Sequence, residues 1–182
     1  MKISKFVIDD FDYKIQDYST KMGIIIPDTY KRFLKKYNGG LTINTKFNIN
    51  GIKSDVKAFY GLGDVKYSLN KVDIIESDNV KYIPIACDSF GNMIMISAGD
   101  ENVYFSDHEK GFDLKPLNCD FTHFINNCIT SEINPYAYKS PEEREADMIS
   151  RGKESNITDG LREMWKAEYE KYSSLELEEV VI

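Results

Sequence analysis

The sequence predicts a mixed fold in which helices cover an antiparallel β-meander, and three observations predict it. Residues 81–111 hold three short apolar runs, around Ile83-Pro84-Ile85-Ala86, Met93-Ile94-Met95-Ile96 and Val103-Tyr104-Phe105. Ile, Val, Tyr and Phe suit buried or half-buried strands. The breaks between the runs are Gly91-Asn92 and Gly99-Asp100-Glu101-Asn102, residues that supply positive φ in tight reversals. Upstream, two segments repeat apolar residues at helical spacing. Finally, 182 residues with 42% hydrophobic and 13% aromatic content are enough for a real core.

Along the chain, Phe11, Ile15, Tyr18 and Met22 share one helical face, with Asp9 or Asp10 to cap the start and Gly23 to end it. Pro27 suits the first position of a second helix, in which Tyr30, Phe33, Leu34 and Tyr37 form an apolar stripe. Asn38-Gly39-Gly40 stops it. From Leu41 the period falls to two, through Ile43, Phe47 and Ile49, so a strand or hairpin is expected. Val56, Ala58, Phe59, Tyr60 and Leu62 follow, and Gly61-Leu62-Gly63-Asp64 reads as a turn. Val72-Asp73-Ile74-Ile75 fits helix or strand. In the meander, Pro84 lacks an amide donor, so the first strand is expected at or near a sheet edge.

Residues 112–118 read as a connector. Asp120 caps a helix whose stripe is Phe121, Phe124, Ile125, Cys128 and Ile129. Pro141-Glu142-Glu143 starts another helix and Gly152 ends it. Residues 156–172 predict a further helix capped by Thr158 or Asp159, with Leu161, Met164, Trp165 and Tyr172 on one face. The expected division is a domain over residues 1–130 and a helical C-terminal extension over 131–182.

Net charge is −7, which argues against nucleic acid or an anionic membrane as partner. Residues 1–130 carry 17 acids and 16 bases, and residues 131–182 carry 13 acids and 7 bases, so the excess lies in the extension. No run reaches membrane-spanning length, and Met1-Lys2-Ile3-Ser4-Lys5 leads to acids rather than an apolar core, so no signal peptide is expected. The three cysteines, Cys87, Cys119 and Cys128, lack a framework spacing and read as reduced, mostly buried thiols of a cytoplasmic protein.

Catalytic chemistry is hard to assemble. Only His108 and His123 are present, and His123 lies off its helix's apolar stripe, an exposed position. Asp107-His108-Glu109 with Ser89 is the best catalytic candidate. Neighbouring residues on extended backbone point to different faces, and Ser89 lacks the glycine context of a nucleophile elbow. No His or Cys pair has metal-ligand spacing, and Gly61-Leu62-Gly63 lacks the rest of a phosphate loop. We therefore expect no enzyme, metal or cofactor. What remains is a surface for protein contact. Acids recur on the predicted loops, with tyrosines close by. The candidate partner-binding residues are Tyr60, Asp64, Glu76, Asp78, Tyr82, Asp88, Tyr104, Asp107 and Glu109, suited to a basic partner. The same residues also suit a charged rim that keeps the protein in solution.

Four motifs in order over residues 10–130 resemble the SUKH superfamily, the Smi/Knr cell-wall-assembly-regulator domain. They are Pro27 to Tyr37 with Asn38-Gly39-Gly40; Ile83-Pro84-Ile85-Ala86 with Asp88 and Gly91-Asn92; Val103-Tyr104-Phe105 with His108-Glu109; and Asp120-Phe121 with Phe124-Ile125. Two positions depart from the pattern: Phe90 stands where glycine is common, and Ser97 where an acid often closes the strand. The resemblance implies an α+β fold with helices against a curved, mainly antiparallel sheet. It also implies an immunity protein that binds and neutralises a cognate bacterial polymorphic toxin, often a nuclease. The alternative it implies is a non-enzymatic regulatory scaffold. Neither role needs a catalytic residue.

Overall fold

The computed structural model describes all 182 residues. It is an α+β structure with five α-helices and a ten-stranded open sheet. In chain order the elements are β1 (Lys2–Lys5), α1 (Phe11–Met22), α2 (Asp28–Tyr37), β2 (Gly40–Ile49), β3 (Ile52–Phe59), β4 (Ile75–Ser77), β5 (Val80–Cys87), β6 (Met93–Ser97), β7 (Asn102–Asp107), β8 (Asp113–Asp120), α3 (Phe121–Asn127), β9 (Ile129–Thr130), α4 (Pro141–Ser150), α5 (Asp159–Ser173) and β10 (Glu178–Glu179). The sheet order is β10-β1-β2-β3-β5-β6-β7-β8, with β4 added to β5 and β9 to β2. Every strand pair is antiparallel.

The meander forms as expected, β5 to β6 to β7. Pro84 does not mark an edge, because β5 lies inside the sheet. The ring avoids a ladder bond by position. β4 pairs with β5 up to Tyr82 and β3 pairs only from Ala86, so Pro84 falls in the gap between these partners, beside a register shift. Residues 112–118 are no mere connector either. Most of them belong to β8, the last strand of the path, where Leu117 and Cys119 are buried and Pro116, Asn118 and Asp120 are exposed.

α2 buries the expected stripe of Tyr30, Phe33, Leu34 and Tyr37. These rings meet the first turn of α3 and strand β3: Tyr30 and Phe33 each lie 5.3 Å from Phe121, and Phe33 lies 5.2 Å from Phe59. Phe124 sits 5.3 Å from Phe47 on β2. Offset and edge-on aromatic pairs add to the area they bury, so one aromatic cluster ties two helices to the sheet. α3 starts on the predicted cap, the Asp120 carboxylate accepting from the His123 amide at 2.7 Å. Ile129 leaves the helical stripe. It lies in β9 with its side chain exposed.

The end of α2 shows why Asn38-Gly39-Gly40 has that composition. Asn38 takes the left-handed conformation, and its side chain bonds Leu62 twice, accepting from the amide at 2.8 Å and donating to the carbonyl at 3.1 Å. The backbones come so close that a Cβ on Gly61 would stand 2.0 Å from the Asn38 carbonyl oxygen. Gly61 therefore serves close approach, not only a reversal.

Residues Met1–Ser131 and Leu177–Ile182 form one compact unit, and Glu132–Glu176 a second. In the first, β10 pairs with β1, and Tyr37 Oη accepts from the Val181 amide at 2.9 Å. In the second, Ser140 and Glu143 form a capping box at the start of α4. Arg144 is fully buried there. Its Nη1 meets Glu168 of α5 at 2.6 Å, its Nε donates to the Lys139 carbonyl at 3.0 Å, and its guanidinium covers the Tyr136 ring. A buried cation persists only with such partners. α5 starts on Thr158, as expected, and buries Trp165, while Met164 faces out.

Candidate functional site

Two turns close the meander, and each is held by a side chain that the sequence makes prominent. Asp88 is 2% exposed and holds the 88–92 turn. Its Oδ1 accepts from the amides of Phe90 and Asn92 at 2.9 and 2.8 Å, and its Oδ2 accepts from Ser54 Oγ and Asn92 Nδ2, each at 2.7 Å. Gly91 takes the positive φ of 97°, so Phe90 fits where glycine is common by turning outward. At the other end Ser97, standing where an acid often closes the strand, does an acid's work: its Oγ accepts from the amides of Gly99 and Asp100 at 3.1 and 3.2 Å.

The nine candidate positions separate into groups. Tyr82 and Tyr104 come together edge-on at 4.9 Å, and the Tyr104 hydroxyl reaches Asp100 at 3.5 Å. Glu76 and Asp78 lie exposed on the neighbouring β4–β5 hairpin, where Ile75 pairs with Tyr82. Asp107 and Glu109 lie toward the opposite end of the meander, Asp107 three residues along β7 from Tyr104, roughly 10 Å away. There Asp107 accepts from the Glu109 amide at 3.2 Å and meets Lys115 at 3.5 Å. Asp64 is exposed and pairs with Lys71 at 3.0 Å. Tyr60 and Asp88 lie below the surface, Tyr60 in the core and Asp88 inside its turn.

The catalytic candidates do not converge. Ser89 Oγ donates to Asp55 at 2.5 Å, while His108 Nδ1 pairs with Asn92 at 2.8 Å. Each has its own partner, and no hydrogen bond joins the two. His123 is exposed. No three His, Cys, Asp or Glu side chains gather in a metal-holding group. The three cysteines are free and buried. Burial pushes the Cys119 thiol up to about 11 and the Cys128 thiol up to about 12, so neither supplies a thiolate nucleophile at neutral pH.

Sequence reasoning passed over one feature, a groove of about 740 Å³ on the outer face of β2 and β3, flanked by Phe90 and Ile129. Its signal was present in Lys46, Lys53 and Lys57, which alternate with the buried positions of these strands.

No helix is long and apolar enough to cross a membrane. Two curated proteins of Bacillus subtilis (strain 168) are similar to this chain. The SPbeta prophage-derived uncharacterized protein YokK is 29% identical, the match covering 59% of this chain and 71% of the relative. The uncharacterized protein YobM is 24% identical, the match covering 67% of this chain and 66% of the relative. No solved structure matches. The SUKH_6 family profile, SMI1-KNR4 cell-wall, matches residues 12–125, which span α1 through most of α3 and include all four motifs. With the antiparallel sheet and the Asn38, Asp88 and Asp120 capping bonds in place, the chain belongs to the SMI1-KNR4 cell-wall family.

Proposed function

We propose that the protein is an immunity protein, which binds a cognate bacterial toxin domain and neutralises it by contact, without chemistry of its own. The observation that carries the reading is the family match over residues 12–125. The prophage origin of one relative agrees with a mobile toxin–immunity locus. The separate partnering of Ser89 and His108 also agrees, since a nucleophile and its base need hydrogen-bond reach. In this reading the domain over residues 1–130 carries the binding surface, in the cytoplasm of the producing cell. The helical extension over 131–182 ends by returning Glu178–Glu179 to the sheet. Tyr82 and Tyr104, half-exposed and joined by Asp100, supply the tyrosine-and-acid surface for a basic partner, with Asp78 at the tip of the adjoining hairpin; Glu76, opposite Lys81, serves the other face of that hairpin. Tyr60 and Asp88 support the fold beneath it.

Co-expression with each protein encoded beside this gene tests the reading, the expected partner being one that halts growth by itself. The expected result is rescue of growth and a complex that co-purifies at stoichiometric ratio. No complex and no rescue overturn it. A stable complex with a neighbouring protein that harms no cell favours the regulatory-scaffold alternative instead.

A further inference from the structure

The outer face of the β2–β3 hairpin carries a groove that neither the core nor the tyrosine-and-acid positions use. Its geometry follows from strand register. Lys46 stands opposite Asp55 on β3 and opposite Ile129 on β9, so the three share one face. In the next row Asn48 stands opposite Lys53. Asp55 accepts from both the amide and the hydroxyl of Ser89, which ties the 88–92 turn to this face. The turn then projects Phe90 as one wall, and Ile129 forms the other, each 69% exposed. Large apolar side chains left in water beside a concave surface mark an interaction site.

Charge decides what such a site takes. Lys46 and Lys53 line the groove, and Lys57 lies two residues further along β3 on the same face. None of the three takes part in an ion pair. The one acid in the lining, Asp55, already accepts on both oxygens. The groove is thus a local positive field on a protein of net charge −7. Nucleic acid is the poorer fit: the lining holds no arginine, and the net charge opposes approach of a polyanion.

We propose that this groove receives an acidic segment of a protein partner, its carboxylates over Lys46 and Lys53 and an apolar side chain between Phe90 and Ile129. The proposal rests on the reading of the protein as a binding module. It assigns a second contact chemistry, opposite in sign to that of the Tyr82–Tyr104 surface. A partner with a basic body and an acidic segment would engage both.

Fluorescence anisotropy tests it with three labelled probes: a Glu-rich peptide bearing leucines, its Lys-rich counterpart, and single-stranded oligothymidylate. The Glu-rich peptide is expected to bind the full chain, and to bind less as salt rises. Affinity should fall about fivefold or more in K46E/K53E and in F90A/I129A, and hold in K46R/K53R. All four positions are exposed, and unchanged thermal melts establish that the variants fold. No binding of the Glu-rich peptide, equal binding of the Lys-rich one, tighter binding of oligothymidylate, or indifference to the groove substitutions each overturns the proposal. With the toxin domain in hand, a complex that forms equally well with K46E/K53E overturns the groove and leaves the immunity reading standing. Failure of every toxin complex, with peptide binding intact, does the reverse.

Discussion

The inner and outer faces of the β2–β3 hairpin come from the same residues, read alternately. On the inner face Phe47, Ile49, Val56 and Ala58 are buried, and Phe47 meets Phe124. On the outer face Lys46, Asn48, Lys53 and Lys57 stand in water. A period-two pattern sends neighbours to opposite sides, so two strands build a core and leave a charged, concave surface behind it. The difference teaches that stability and recognition are separable here. Substitutions one position apart should act on different properties. Asp88 and Ser54 are the exception, because their bond joins the hairpin to the turn that carries Phe90.

The largest expected effect is on the inner face. Phe47→Ala should cost about 3–5 kcal/mol in urea unfolding, since it opens a cavity beside Phe124. A loss under about 1 kcal/mol would show that the hairpin's inner face is not core, and the comparison would break. Asp88→Ala should cost about 1–3 kcal/mol, because it leaves the Asn92 amide and Ser54 hydroxyl without their acceptor. It should also weaken the Glu-rich peptide, through loss of the Phe90 wall, although Asp88 itself touches no ligand. Unchanged peptide affinity would separate the turn from the groove.

A loss spread over several pH units should follow alkali. Cys119, Cys128 and Tyr18 stay neutral to about 11, 12 and 12 in the folded state. Unfolded, the thiols ionise near 9.0 and the phenol near 10.0. A raised folded value means that the stabilisation is complete below pH 9 and is lost as pH climbs from there through about 12. Thermal melts taken across that interval should fall steadily, and melts that stay level would show these groups to be solvated. The smallest effect belongs outside: Lys53→Ala should change stability by no more than about 0.5 kcal/mol, measured by the same urea titration.

Much of this was legible in the sequence, and the failures share a cause. The stripe Tyr30, Phe33, Leu34 and Tyr37 needed only a helical period, and Asp120 needed only a capping side chain before an apolar run. Both are relations within a few residues. Residues 112–118 read as a connector, whereas the structure makes most of them β8, which Pro116 and the left-handed Asn118 interrupt while Leu117 and Cys119 keep the alternation. β1 and β10 carry no pattern at all: Lys2–Lys5 and Glu178–Glu179 become strands only through pairing with each other and with β2. Among the nine candidate positions, composition placed tyrosines and acids together. It could not tell Asp88, which spends its oxygens inside a turn, from Glu76, which faces water.

By itself, the sequence determined the meander, the helices over residues 11–37, the cap at Asp120 and the family, because hydrophobic period and turn chemistry are written over short spans. Only the tertiary structure decided that β5 lies inside the sheet, that Gly61 must clear Asn38, and that Lys46, Lys53, Phe90 and Ile129 border one groove. Those relations join residues tens of positions apart. Strand register and backbone approach fix them, and neither has a local signature along the chain.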